Sequence, residues 1–265
     1  MGRVEGKVCL VTGGGSGLGR ADAISLAKEG ARVVVTDIDK EGGEETAHLA
    51  GDEAIFVAHD VAEEDQWQRV IKETLGHFDE LNVLVNNAGM FIPGTLEDVT
   101  WEQYRIHQRI HMDGAFFGMK YGVGTIKANR KLGSIINTAS TTAIQGYHTS
   151  FAYGACKGAI RTMTSHAAIH CQQRRYNIRV NCIFPGVIQT PLIEKLYADA
   201  AAAAKARGDH QQAPEPPEKK IPSPGRGEPM DLAYAVLFLA SDESKFINGS
   251  EFCVDNASVI NPAPL

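Results

Sequence analysis

Tyr153 and Lys157 lie four residues apart, a spacing that stacks a phenol and an ammonium on one face of a helix. A phenol with its ordinary pKa of about 10 is a poor acid–base catalyst at neutral pH. An ammonium one turn away favours the phenolate and lowers that value. Ser140 stands thirteen residues upstream of Tyr153, just past the β-branched run Ser134–Thr138, which reads as a buried strand. A hydroxyl at a strand end, a phenol and a cation could therefore meet at one point and exchange a proton with a bound group. A Tyr-x-x-x-Lys pair alone is as well explained by an ordinary amphipathic helix, so the elements around it must supply the context.

Those elements begin with Lys7–Thr12, a short apolar strand. A glycine loop follows, with Gly13, Gly17 and Gly19 spaced Gly-x-x-x-Gly-x-Gly and Ser16 and Leu18 between them. Arg20–Glu29 carries apolar residues at helical spacing and stops at Gly30. Strand, glycine turn and helix form the setting of a pyrophosphate site, since glycines let the backbone approach and free N–H groups at a helix start favour negative charge. The next strand, Ala31–Asp37, ends on a carboxylate 18 residues past Gly19. A carboxylate there accepts hydrogen bonds from ribose hydroxyls and repels a 2′-phosphate. Ile38 follows it, where an arginine could have bound that phosphate, so the pattern predicts NAD rather than NADP. Asp37 could equally cap the next helix.

Alternation continues along the chain. Helices are expected at Glu41–Ala50, Glu63–Gly76 and Tyr153–Gln173, with a last one over Asp231–Ser241. Strands are expected at Ala54–Asp60, Leu81–Val85, Gly133–Thr138, Asn177–Phe184 and Ser250–Asp255. Thr100 and Gln103 have capping-box spacing and should open one long helix reaching Ile126. This pattern predicts an α/β fold: a Rossmann-type, doubly wound parallel sheet of about seven strands with helices on both faces and ligands at the strands' carboxyl ends. Composition shifts after strand six, to an alanine-rich helix at Ala198–Ala206 and a proline-rich stretch from Ala213 to Gly225. A long segment beside the presumed site reads better as a lid than as a linker.

The 265 residues are 43% hydrophobic, enough for an ample core. A net charge of -6 with no basic run argues against a nucleic-acid partner. No stretch reaches the length of a membrane span. Five scattered cysteines without a Cys-x-x-Cys pair suit a reduced, cytoplasmic protein. His107/His111 and His166/His170 have the i, i+4 spacing of helical metal pairs but lack further ligands, so no metal site is expected.

Taken together, the glycine loop, Asp37, Asp60-Val61, Asn86 to Gly89, Ser140, Tyr153 with Lys157, Asn181, and Pro185-Gly186 through Thr190 fall in the order and spacing of the short-chain dehydrogenase/reductases, which the sequence resembles over nearly its whole length. Its overall wording is most similar to bacterial hydroxysteroid dehydrogenases of the 3β/17β type. The resemblance implies one NAD-binding oxidoreductase domain over residues 1–265, with residues 190–228 as a substrate lid. It implies proton exchange at Tyr153, a Lys157 that binds the nicotinamide ribose, and a Ser140 that holds the substrate oxygen. Cofactor contacts are implied for Gly13, Ser16, Gly17, Leu18, Gly19, Asp37, Ile38, Asp60, Val61, Asn87, Ala88, Gly89, Pro185, Gly186, Ile188 and Thr190. His111 stands where the family usually has an asparagine that distorts the long helix and relays protons to the lysine. It is therefore a candidate catalytic residue, either titrating in that relay or quietly supporting the same turn. The expected partner is a secondary alcohol or ketone, bulky and apolar, with Phe91, Ile92, Pro93, Ile144, Tyr147 and Leu192 as walls. A homotetramer is the implied assembly. The competing readings are a polyol or small cyclic-alcohol dehydrogenase and a non-catalytic dinucleotide-binding regulator.

Overall fold

The computed structural model describes residues 2–206 and 226–260. Apolar, β-branched runs form the strands β1 (Val8–Thr12), β2 (Arg32–Asp37), β3 (Ala54–Ala58), β4 (Val83–Asn86), β5 (Gly133–Thr138), β6 (Ile178–Pro185) and β7 (Glu251–Val254). They pair in one all-parallel sheet of order β3-β2-β1-β4-β5-β6-β7. The chain moves outward from β1 to β3, then crosses back to lay β4 on the other side of β1. That reversal opens a crevice above the carboxyl ends of β1 and β4, where such folds bind ligands.

Between the strands run α1 (Gly17–Lys28), α2 (Lys40–Ala50), α3 (Glu64–Phe78), α4 (Trp101–His107), α5 (Gly114–Ile126), α6 (Phe151–Arg174), α7 (Pro191–Ala206) and α8 (Pro229–Ala240). Central strands are buried on both faces, which is why they read as continuous apolar runs rather than alternating ones. Alternate residues feed two cores. Leu10, Leu84 and Ile135 pack with Trp67 of α3, Met119 of α5 and Ile160 of α6. Val11, Val35 and Val85 pack with Leu26 of α1 and Leu232 and Val236 of α8. Each fully buried side chain of this size contributes roughly 1.5–3 kcal/mol over the exposed state.

Two segments differ from the sequence reading. The long helix expected from Thr100 to Ile126 has its capping box, Gln103 N–H to Thr100 Oγ1 at 3.1 Å and Thr100 N–H to Gln103 Oε1 at 2.9 Å. It is nevertheless broken by a π-helical turn at Gln108–Asp113 that contains His111. The alanine-rich helix starts earlier than expected, at Pro191, with Thr190 as its cap: Ile193 N–H reaches Thr190 Oγ1 at 3.4 Å. The proline-rich stretch lies outside the described residues.

Candidate active site

At the end of β1 the chain turns on Gly13, whose φ of +66° is open to glycine at no steric cost. The loop closes tightly on itself, because a Cβ on Gly19 would collide with the Gly13 carbonyl oxygen. Asn87 fastens the loop to the end of β4, its Nδ2 donating to the carbonyls of Thr12 and Gly13 at 3.0 and 3.2 Å. Two neighbouring amides join the next strands: Asn86 Nδ2 donates to Asn137 Oδ1 at 2.8 Å. Ser16, Gly17 and Leu18 line a cleft of about 340 Å³, so the first turn of α1 faces it.

Asp37 closes β2 on the same cleft. Its Oδ2 accepts the Gly15 N–H at 2.8 Å and its Oδ1 the Asp39 N–H at 2.9 Å, which fixes the carboxylate beside the loop. Asp60 Oδ1 accepts the Ala62 N–H at 2.9 Å, and the Val61 carbonyl accepts the indole N–H of buried Trp67 at 2.9 Å. Arg20 turns away, to the Gly15 carbonyl at 2.6 Å and Glu45 at 2.7 Å. Among the described lining residues Lys157 is the one lysine or arginine.

Ser140 follows β5 and is buried, its Oγ accepting the Thr142 N–H at 3.2 Å. It lies beside the Tyr153 hydroxyl, whose pKa it lowers. One turn further along α6, Lys157 is 3% exposed and donates from Nζ to the Thr138 carbonyl at 2.7 Å. Burial pushes the lysine down to about 8. Burial also pushes the Tyr153 phenol up to about 12, with Ser140 pulling the other way. Desolvation thus outweighs the expected lowering by Lys157, whose nitrogen points to a carbonyl and lies 5.4 Å from the Tyr153 ring centroid.

His111 is 1% exposed and its ring meets Tyr153 edge-on, centroids 5.3 Å apart. Burial holds its pKa well below the usual histidine range, reinforced by Lys157 and by His107. The imidazole is accordingly neutral at physiological pH, which speaks against a titrating branch of the relay.

Every residue singled out for cofactor or catalysis lines this one cleft, except Gly19, which is buried beneath the loop. Of the expected substrate walls, Leu192 lines it. Phe91 instead packs on Tyr153 at 5.0 Å, and Ile92, Pro93, Ile144 and Tyr147 are not lining residues. His59, Met90, Ile110, Thr138, Ala139, Pro191 and Ile193 line it without having been anticipated. Thr190-Pro191 carried a usable signal, a cap followed by proline at the first helical position. Asn181 serves the sheet, with Nδ2 to the Ile247 carbonyl and Oδ1 from the Ser250 N–H, both 3.0 Å. Among the described residues no group of three or more His, Cys, Asp or Glu could hold a metal ion.

A glycine loop opening on a helix start, a fixed carboxylate ending the next strand, and a Ser-Tyr-Lys cluster, all at the carboxyl ends of one parallel sheet, are the features of a dinucleotide-binding α/β oxidoreductase. A sequence model of the family described as Enoyl-(Acyl carrier protein) reductase matches residues 13–256. The chain belongs to the short-chain dehydrogenase/reductase family. It is 40% identical over 256 residues to the NADP-dependent (R)-specific alcohol dehydrogenase of Lentilactobacillus kefiri, covering 96% of each chain. It is 37% identical over 256 residues to the 3-beta-hydroxysteroid dehydrogenase of Comamonas testosteroni, again covering 96% of each. The crystal structure of levodione reductase superposes with a TM-score of 0.86 at 28% identity, covering 97% of this chain and 99% of the other.

Proposed function

We propose that the protein is an NAD-dependent dehydrogenase that interconverts a secondary alcohol and a ketone. The observation that carries this reading is the convergence of Ser140, Tyr153 and Lys157 on one cleft, with the Lys157 ammonium 5.4 Å from the Tyr153 ring centroid. The glycine loop and first turn of α1 would cradle the pyrophosphate, Asp37 the adenosine ribose, and Lys157 the nicotinamide ribose. When bound, the nicotinamide supplies the hydride acceptor or donor. Ser140 holds the substrate oxygen and stabilises negative charge developing on it. In ketone reduction the protonated phenol of Tyr153 gives its proton to that oxygen; in alcohol oxidation the phenolate takes the hydroxyl proton.

NAD is favoured over NADP by the fixed Asp37 carboxylate beside exposed Ile38 and by the lack of any lysine or arginine other than Lys157 among the described lining residues. An apolar ring substrate such as a hydroxysteroid is favoured by Met90, Ile110, Ile188, Leu192 and Ile193 along the cleft and by the hydroxysteroid dehydrogenase among the relatives. Residues 190–228 serve as the lid in this reading, with α7 leading from the cleft edge and the Ile188–Gly227 bridge closing its base. A homotetramer belongs to the same reading, and so does a reducing, cytoplasmic setting, which five free cysteines suit. Purified protein assayed with NAD and NADP against steroid, cyclic and polyol alcohols tests it. Reduction of NAD with a cyclic or steroid alcohol is the expected result, and dinucleotide binding without turnover of any alcohol would favour a regulator instead.

A further inference from the structure

We infer that His107 and His111 are positioning residues, a two-rung clamp of neutral imidazoles that fastens the loop after β4 to the helix beside it and so sets the place of Tyr153. The inference rests on the proposed reaction for its kinetic consequences and on hydrogen-bond geometry for the clamp itself.

The shorter contacts give the two rings opposite tautomers. His107 Nδ1 lies 2.7 Å from the Gln103 carbonyl oxygen, so the proton is on Nδ1. Its Nε2 is then a bare acceptor, and it receives the Ile92 N–H at 3.3 Å. His111 Nε2 lies 2.8 Å from the Met90 carbonyl oxygen and 3.4 Å from the Met90 nitrogen, and the shorter contact places the proton on Nε2. One ring thus takes a backbone proton from the loop and the other gives one.

The spacing matches. Two residues of extended chain span roughly 6.5 Å, close to the separation of the two rings. The rings stack with centroids 5.9 Å apart and planes 16° from parallel. Phe91, between the two rungs, packs edge-on against Tyr153 with centroids 5.0 Å apart. Just beyond, Gly94 N–H donates to the Thr149 carbonyl at 2.8 Å, and Phe151 N–H donates to the Gly94 carbonyl at 3.2 Å. The loop therefore also holds the first residue of α6, two positions before Tyr153. Both histidines are fully buried, so an apolar replacement leaves Ile92 N–H or the Met90 carbonyl without its partner.

Backbone amide hydrogen exchange read by NMR tests the clamp without any assay. In the parent, Ile92 N–H exchanges at least about tenfold more slowly than Phe91 N–H, which has no hydrogen bond among the described residues. His107→Leu brings Ile92 to the Phe91 rate, and His107→Gln, which keeps an acceptor, restores protection. In turnover, His107→Leu raises KM for the alcohol roughly fivefold, the worth of one hydrogen bond, and leaves KM for the dinucleotide within about twofold. Equal exchange of Ile92 and Phe91 in the parent overturns the clamp, as does a His107→Leu protein with both protection and KM intact. If the leucine variant does not fold, the parent comparison and the glutamine variant decide. A parent that turns over no alcohol sinks the proposed reaction, while the exchange data still judge the clamp.

Discussion

Lys157 holds its ammonium 5.4 Å from the ring centroid of Tyr153 and spends one N–H on the Thr138 carbonyl at 2.7 Å. Burial brings the lysine down to about 8 and takes the phenol up to about 12. The cation is thus present at neutral pH and lost as pH rises through about 8. The rate of ketone reduction should fall above that point. Lys157→Arg keeps its charge to far higher pH, so its pH–rate profile should lack the inflection. A pH–rate profile that kept the inflection in the arginine variant would assign it to another group.

Acid stability follows from two buried imidazoles. His59 is pushed down to about 3 by burial and, secondarily, by Arg69, and His111 lies well below its usual value. Both are neutral in the folded chain and protonated in the unfolded chain below about pH 6.5. The folded state then binds fewer protons, and stability falls as pH drops from about 6.5, for His59 down to about 3. Each contributes a slope of about 1.4 kcal/mol per pH unit. Thermal unfolding of His59→Gln between about pH 7 and 5 should show a shallower slope by one such increment. An unchanged slope would mean that His59 is charged in the fold.

In the proposed function Asp37 selects NAD over NADP. Its two oxygens are held by the Gly15 and Asp39 N–H groups, and Ile38 beside it is 77% exposed. Asp37→Ala with Ile38→Arg removes a repelling charge and supplies a phosphate partner. The ratio of kcat/KM for NADP over NAD should rise by roughly 100-fold, equivalent to about 2.7 kcal/mol. A ratio unchanged by the double substitution would place the discrimination elsewhere.

His111 and Asn86, each with a buried acceptor, both line a second, water-sized cavity of about 10 Å³. With its proton on Nε2 toward Met90, His111 has a bare Nδ1, and neither that atom nor Asn86 Oδ1 has a partner among the described residues. One water donating to both would complete a chain from Met90 through His111 and Asn86 to Asn137 and Thr164. A crystal structure of the protein at high resolution should contain that water. A dry cavity would contradict the assigned tautomer.

Much of this was legible before the structure. Strand runs such as Val8–Thr12 and Ile178–Pro185 announced themselves because a strand buried on both faces must be apolar throughout. The cluster residues were legible because glycines, Asp37 and Ser140 stand at strand ends while Tyr153 and Lys157 stand one turn apart on a helix. The π turn at His111 was not, since one extra residue barely disturbs helical periodicity. Nor were the substrate walls: whether Ile144 or Leu192 reaches the cleft depends on loop paths that residue type does not encode. The imidazole tautomer of His111 and the Nε2 partner of His107 depend on the backbone of Met90 and Ile92, 21 and 15 residues away.

The central claim, that Tyr153 exchanges the substrate proton, is tested most directly by Tyr153→Phe. Dinucleotide reduction with a secondary alcohol accepted by the parent should fall by at least about 100-fold, the scale of a lost general acid–base. Dinucleotide binding should persist, since Asp37 and the glycine loop are untouched. A phenylalanine variant with full activity would contradict the account.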